Sequence, residues 1–192
     1  MLLTSILICV AALAILIAVP AYIAFATHNR LVALDQRCET AFGDIDAHLK
    51  HRQNLIPPLV ETVRGFAKHE SDILLGVIQA RAEALQATSP EMRLSAEQNL
   101  TQNITALIGI AEHFPELKAS THFAELRREL VDAENRVTAS RRFYNLAVEE
   151  YGTTLRQFPG SQIGRLFKMN SRTRFDLGIE RVLIDEPLAV KF

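Results

Sequence analysis

The chain has no tryptophan, only eight glycines and seven prolines in 192 residues, and two cysteines. So little glycine and proline, beside abundant Ala, Leu, Glu and Arg, excludes a turn-dense sheet protein and describes long helices. The cysteines exclude a disulfide framework: Cys9 lies in an apolar N-terminal run and Cys38 in the helix that follows, so one thiol sits in lipid. Two unpaired thiols suit a reducing compartment. Cys9 does not read as a lipoprotein acylation site, because Ile8 precedes it where a small residue is needed. An excess of one charge is missing too. With 21 basic against 22 acidic residues, no global field draws the chain onto nucleic acid, and any electrostatic partner must be met by a local patch.

Reactive constellations are equally scarce. There is no Gly-x-Ser-x-Gly, and the glycines are scattered instead of forming a phosphate-cradling loop. His69-Glu70 lacks the second histidine of a zinc-protease helix. Asp44, His48 and His51 are the best metal candidates, since steps of four and three put them near one helical face. No cysteine supports them and a closed site needs a ligand from another helix, so they read as a solvated face. Tyr144 and Tyr151, one heptad apart, read as core tyrosines with hydroxyls at the bundle edge rather than as a ligand-stacking pair. No enzyme, cofactor or metal is expected.

What is present begins with Leu2 to Ala26, a run without a single charged residue. Twenty-five helical residues reach about 37 Å, more than the roughly 30 Å of hydrocarbon in a bilayer. The run is too long for a cleaved signal peptide and has no basic start, so residues 1–27 are expected to be a membrane anchor, with Pro20 a tolerated local kink. No lysine or arginine precedes the span, whereas Arg30, Arg37, Lys50 and Arg52 follow it. The positive-inside bias then predicts an outside N-terminus and a cytoplasmic C-terminal part.

Residues 28–158 predict an all-α, elongated, antiparallel four-helix bundle, up-down-up-down, with helices at about 28–54, 57–88, 90–114 and 121–158. Leu31, Leu34, Cys38, Phe42, Ile45, Leu49 and Ile56 form the first stripe, and Asn54 through Pro57-Pro58 is expected to break it. The second stripe is Leu59, Val63, Phe66, Leu74, Val77, Arg81 and Leu85, the third Leu94, Leu100, Ile104, Leu107, Ile108 and Ala111. Ser89-Pro90-Glu91 marks the third helix start. The last helix carries a coiled-coil-like seam from Phe123 through Leu126, Leu130, Ala133, Val137, Ser140, Tyr144, Ala147, Tyr151 and Leu155 to Phe158.

Three charges intrude on apolar stripes: Arg52, Glu70 and Arg81. A buried pairing of Glu70 with an arginine of a neighbouring helix is expected, fixing register at some cost in stability. Glu134, Arg136, Arg141, Arg142 and Glu149 read as a solvated outer face. The tail, 159–192, is expected to be irregular, first basic and then apolar. Helix directions return the fourth helix to the bilayer, so Arg165, Lys168, Arg172 and Arg174, with Leu166 and Phe167, predict a second membrane-surface contact. Each cation there gains about 1 kcal/mol from anionic lipid. Residues 175–192 are too apolar for a solvated linker and are expected to dock on the bundle, another copy or a partner.

Two blocks carry a family likeness. Arg52-Gln-Asn-Leu-Ile-Pro-Pro-Leu-Val-Glu-Thr-Val-Arg-Gly-Phe-Ala-Lys-His-Glu70, and Glu134-Asn-Arg-Val-Thr-Ala-Ser-Arg-Arg-Phe-Tyr-Asn145 with Val148, Tyr151 and Phe158-Pro159, resemble the LemA family of bacterial membrane proteins. The likeness runs from the anchor to Lys191-Phe192 and departs at Pro58 and Gly152, where the family pattern has asparagine. It implies a transmembrane helix with a short outward N-terminus, a helical domain, and no agreed biochemical activity. The resulting expectation is a non-catalytic scaffold or adaptor of the bacterial inner membrane. It spans lipid through residues 2–26, presents helix faces and its tail to unidentified protein partners, self-associates, and binds no nucleic acid. The competing readings are a metal- or small-ligand-dependent enzyme built on His48 and His51, and a periplasmic sensor of opposite topology.

Overall fold

The computed structural model describes residues 2–67, 70–88 and 90–175. These are all-helical and without strands: α1 Leu2–Arg64, α2 Ser71–Gln86, α3 Pro90–Ala111, α4 Pro115–Lys118, α5 Thr121–Arg156 and α6 Gly160–Leu166. The predicted all-α class holds, while several boundaries shift. The expected cap at Ser89 and the run from residue 176 onward lie outside the described residues.

The largest correction concerns α1, which does not break at Asn54–Pro58 but runs without interruption from the apolar N-terminal run to Arg64. Prolines 57 and 58 lack the N–H groups that would bond the carbonyls of Gln53 and Asn54. The Gln53 carbonyl instead accepts a hydrogen bond from Nε of Arg81 at 2.8 Å. Both prolines are exposed, while Ile56, Leu59, Val60 and Val63 are buried and carry the stripe past them. Each such side chain contributes about 1.5–3 kcal/mol on full burial, enough to hold a helix whose ladder is locally interrupted. The chain reverses later, where Val63 O accepts from the amides of Phe66 and Ala67 at 3.0 and 2.9 Å. The predicted second helix therefore loses residues 57–64 to α1 and starts only at Ser71, and Phe66 and Leu85 of its stripe are exposed.

The chain divides into two compact units. In the first, Met1–Ile45 with Ser140–Phe175, α1 and α5 run antiparallel, as the pairs Arg37–Glu150 and Phe42–Tyr144 require. Leu31, Leu34, Cys38, Ala41 and Ile45 supply the buried side of α1, and Tyr144, Ala147, Val148 and Tyr151 that of α5. Burial pushes the Cys38 thiol up from its ordinary range, with Asp35 adding to the shift and Arg172 opposing it. The apolar run ahead of this packing stays outside it: none of its most apolar window is buried, and it is long and apolar enough to cross a membrane.

In the second unit, Asp46–Ala139, α2 and α3 form an antiparallel hairpin, with Asn99 donating to Glu83 at 3.1 Å. α3 runs parallel to α1, since Asp46 meets Arg93 and Gln53 meets Glu97. Ile56, Leu59 and Val63 of α1, Leu74 and Val77 of α2, Leu100, Ile104 and Leu107 of α3, Leu117 of α4 and Phe123, Leu126 and Leu130 of α5 share one core. The seam expected on the last helix is buried from Phe123 to Tyr151, and it fails only at its end, where Phe158 is 82% exposed.

Candidate functional site

Two polar assemblies stand out against these apolar interiors. The first centres on Arg52, whose side chain is only 2% exposed. It lies on the buried stripe of α1, and α3 and α5 bring acids to it: Arg52 ion-pairs with Glu97 and with Glu134. Its Nη1 donates to Thr101 Oγ1 at 2.9 Å, Thr101 donates to the Glu97 carbonyl at 3.0 Å, and Gln53 Nε2 donates to Glu97 Oε1 at 2.5 Å. The arginine expected to be buried is buried, but its partner is not Glu70. That residue falls in the turn ahead of α2, where it is exposed. Arg81 is half-buried and binds a backbone carbonyl, so neither it nor Glu70 joins the cluster. Glu134, read from its spacing as a surface residue, turns inward with its side chain 43% exposed. The cluster holds a fixed cation between carboxylates, an arrangement that can lock the register of α1, α3 and α5.

The second assembly is a strap. After α6 the chain lays residues 169–175 back along α5, held by hydroxyls and amides of that helix. Tyr151 donates to the Asn170 carbonyl at 2.9 Å and Tyr144 to the Thr173 carbonyl at 2.9 Å. Asn145 both accepts from the Phe175 amide at 2.8 Å and donates to its carbonyl at 3.1 Å. Arg172 reaches α1, donating to Asp35 through Nε at 2.6 Å and to Glu39 through Nη1 at 2.8 Å. These carboxylates raise the Arg172 pKa still further, with the Asp35 hydrogen bond the largest cause. Arg174 pairs with Glu149 at 3.2 Å, and the Arg141 guanidinium stacks over Phe175. Two of the four tail cations expected to face lipid are thus spent on the protein itself.

The strap carries a pH signature. Burial is the main cause that raises both Tyr144 and Tyr151 above the ordinary phenol value of 10.0. An unfolded chain then ionises first as pH rises, so the strap's contribution is full below pH 10 and is lost above it. In a Tyr22→Phe background, where these are the remaining tyrosines, an ultraviolet absorbance titration is expected to place both midpoints above that of free tyrosine. A single transition at the free-tyrosine pH would show the phenols to be solvated.

The other expected contact residues sit between α5 and the strap. Arg165, Leu166, Phe167 and Lys168 all remain exposed, and the segment Gly160–Leu166, expected to be irregular, is the helix α6. Phe167 stacks on His28 with ring centroids 4.1 Å apart. His28 was not singled out by spacing, since it lies just ahead of the first apolar stripe, and Phe158, expected to close the seam of the last helix, is exposed instead. Asp44, His48 and His51 stay on α1, and among the described residues no group of histidine, cysteine and acidic side chains is placed to hold a metal ion.

No curated protein matches the chain. The sequence model of one family does, over residues 41–192, which takes in the arginine cluster, α6 and the strap. The match covers most of the sequence, agrees with the two blocks that supply Arg52, Glu134, Tyr144, Asn145 and Tyr151, and shows that this chain belongs to the LemA family.

Proposed function

We propose that the chain is a membrane-anchored, non-catalytic helical scaffold of the bacterial inner membrane, its N-terminus outside and its helical part in the cytoplasm, where it presents helix faces to protein partners. The observation that carries this reading is the second apolar face of α2. Leu74, Val77, Ala80 and Ala84 point into the core, yet Leu75, Ile78 and Leu85 are exposed on another side of the same 16-residue helix. A solvated helix keeps that side polar; three large apolar residues at helical spacing suit a surface that another protein covers. The bonds that tie Gln53, Glu97 and Thr101 to Arg52 or to one another also favour a structural role.

The test uses the full chain, extracted from its native membrane in a mild detergent. Wild type is expected to run as a complex larger than one chain, and Ile78→Glu with Leu85→Glu to run as a single chain with unchanged helical circular dichroism. A wild-type protein that already runs alone, or a double variant that keeps its partners, counts against the proposal.

A further inference from the structure

We infer that α6 and the turns on either side of it make a second contact with the bilayer that α1 crosses, in which Phe158, Leu166 and Phe167 enter the headgroup layer and Arg165 and Lys168 bind anionic lipid. The inference rests on the anchoring of residues 2–26 and is independent of the α2 face.

Its first support is height. The uncharged run ends at Ala26, and His28 lies two residues beyond it on the same helix. Phe167 touches His28, so the turn after α6 sits where α1 leaves the hydrocarbon. The α1–α5 register gives the same level for Phe158. Arg37 faces Glu150, and moving six residues along each antiparallel helix brings Arg156, the last residue of α5, opposite about Leu31, with Phe158 two residues farther toward the exit.

The second support is composition at that height. Phe158, Leu166 and Phe167 are 82%, 73% and 52% exposed. Three large apolar side chains turned outward beside a membrane exit have an obvious solvent in the acyl-chain boundary. From Tyr151 to Phe175 there is no acidic residue. Arg172 and Arg174 pair with Asp35, Glu39 and Glu149, and Arg156 turns back to donate to the Gly152 carbonyl at 3.1 Å, which leaves Arg165 and Lys168 as the exposed cations flanking Leu166 and Phe167. Cations flanking apolar residues at headgroup level are complementary to anionic lipid.

The absence of tryptophan makes this measurable, because one substitution creates a sole emitter. Full-length Leu166→Trp would be reconstituted in vesicles of phosphatidylcholine, with or without phosphatidylglycerol, whose acyl chains are brominated near the headgroup. Leu146→Trp, exposed on α5 and about 18 Å farther from the exit, is the solvent reference, and Leu13→Trp reports the anchor. At Leu166→Trp, quenching is expected to exceed the Leu146→Trp reference at least about twofold in vesicles with phosphatidylglycerol. Adding Arg165→Gln and Lys168→Gln should remove the difference between the two lipid mixtures. Quenching at Leu13→Trp without quenching at Leu166→Trp overturns the contact and leaves the anchored scaffold standing. Loss of quenching at both removes anchor and contact together, and equal quenching in both lipid mixtures overturns the role of the cations.

Discussion

Arg52→Ala is expected to lower the unfolding free energy by about 3–5 kcal/mol, as much as truncating a large core side chain. The arginine itself contributes less than that. Most of the loss comes from what its removal strands: Glu97 has a side chain only 8% exposed and would keep only the Gln53 amide as a side-chain partner. A buried carboxylate without its cation must either stay charged in a poor solvent or take up a proton, and both options disfavour the fold. The same logic predicts asymmetry between the two acids. Glu97→Ala should approach the cost of Arg52→Ala, whereas Glu134→Ala, at a site 43% exposed, should cost about 1 kcal/mol or less. Replacing both buried partners, as Arg52→Met with Glu97→Leu, should recover most of the loss, because a well-packed apolar pair is no less stable than a desolvated ionic one. Denaturant unfolding of the full chain in detergent, followed by circular dichroism, measures all four. If Arg52→Ala and Glu134→Ala cost the same, the cluster is solvated and does not lock the helices.

That cluster also shows how far the sequence could be read. Arg52 was legible because a charge in an apolar stripe is conspicuous, but its partners were not. Glu97 precedes the polar stretch Gln98–Asn103, which hides any periodicity, and Glu134 lies one position past Ala133 on the seam, where spacing alone assigns it to solvent. Glu70 looked inward only because the second helix was drawn through it. The misplacement follows from Pro57-Pro58, a signal that normally ends a helix and here does not, since Arg81 supplies a donor to the Gln53 carbonyl. That donor sits 28 residues away, beyond the reach of local pattern.

The strap was illegible for a different reason. Tyr144 and Tyr151 read correctly as buried, yet their hydroxyls bind backbone carbonyls of Thr173 and Asn170, and a carbonyl acceptor leaves no mark in a sequence. The tail cations could be counted but not allotted. Whether Arg172 met lipid or Asp35 depended on how the chain turned after α6, and that turn depends on a glycine whose role is steric.

Gly160→Ala is therefore expected to cost about 1–3 kcal/mol and to loosen α6 and the strap together. A Cβ at Gly160 would overlap the Thr154 carbonyl oxygen and lie 3.1 Å from the Thr154 carbonyl carbon and 3.8 Å from the Leu155 Cα. All three belong to the backbone of α5's last turn, which cannot rotate aside as a side chain does. Gly164 makes a useful contrast, because a Cβ there meets the Leu155 methyl Cδ1 and a new rotamer can relieve most of the overlap. Gly152, inside α5, has nothing within 4 Å, and Gly152→Ala should stabilise the helix by about 0.5–1 kcal/mol. The expected order of stability is Gly152→Ala, wild type, Gly164→Ala, Gly160→Ala. Limited trypsin digestion adds a local reading, since Arg172 is shielded only while the strap is docked on Asp35 and Glu39. Faster cleavage after Arg172 in Gly160→Ala, at unchanged cleavage elsewhere, would tie strap docking to the close approach of α6. Equal cleavage and equal stability would mean that α6 does not pack against α5 at that distance, and the height assigned to Leu166 and Phe167 would fall with it.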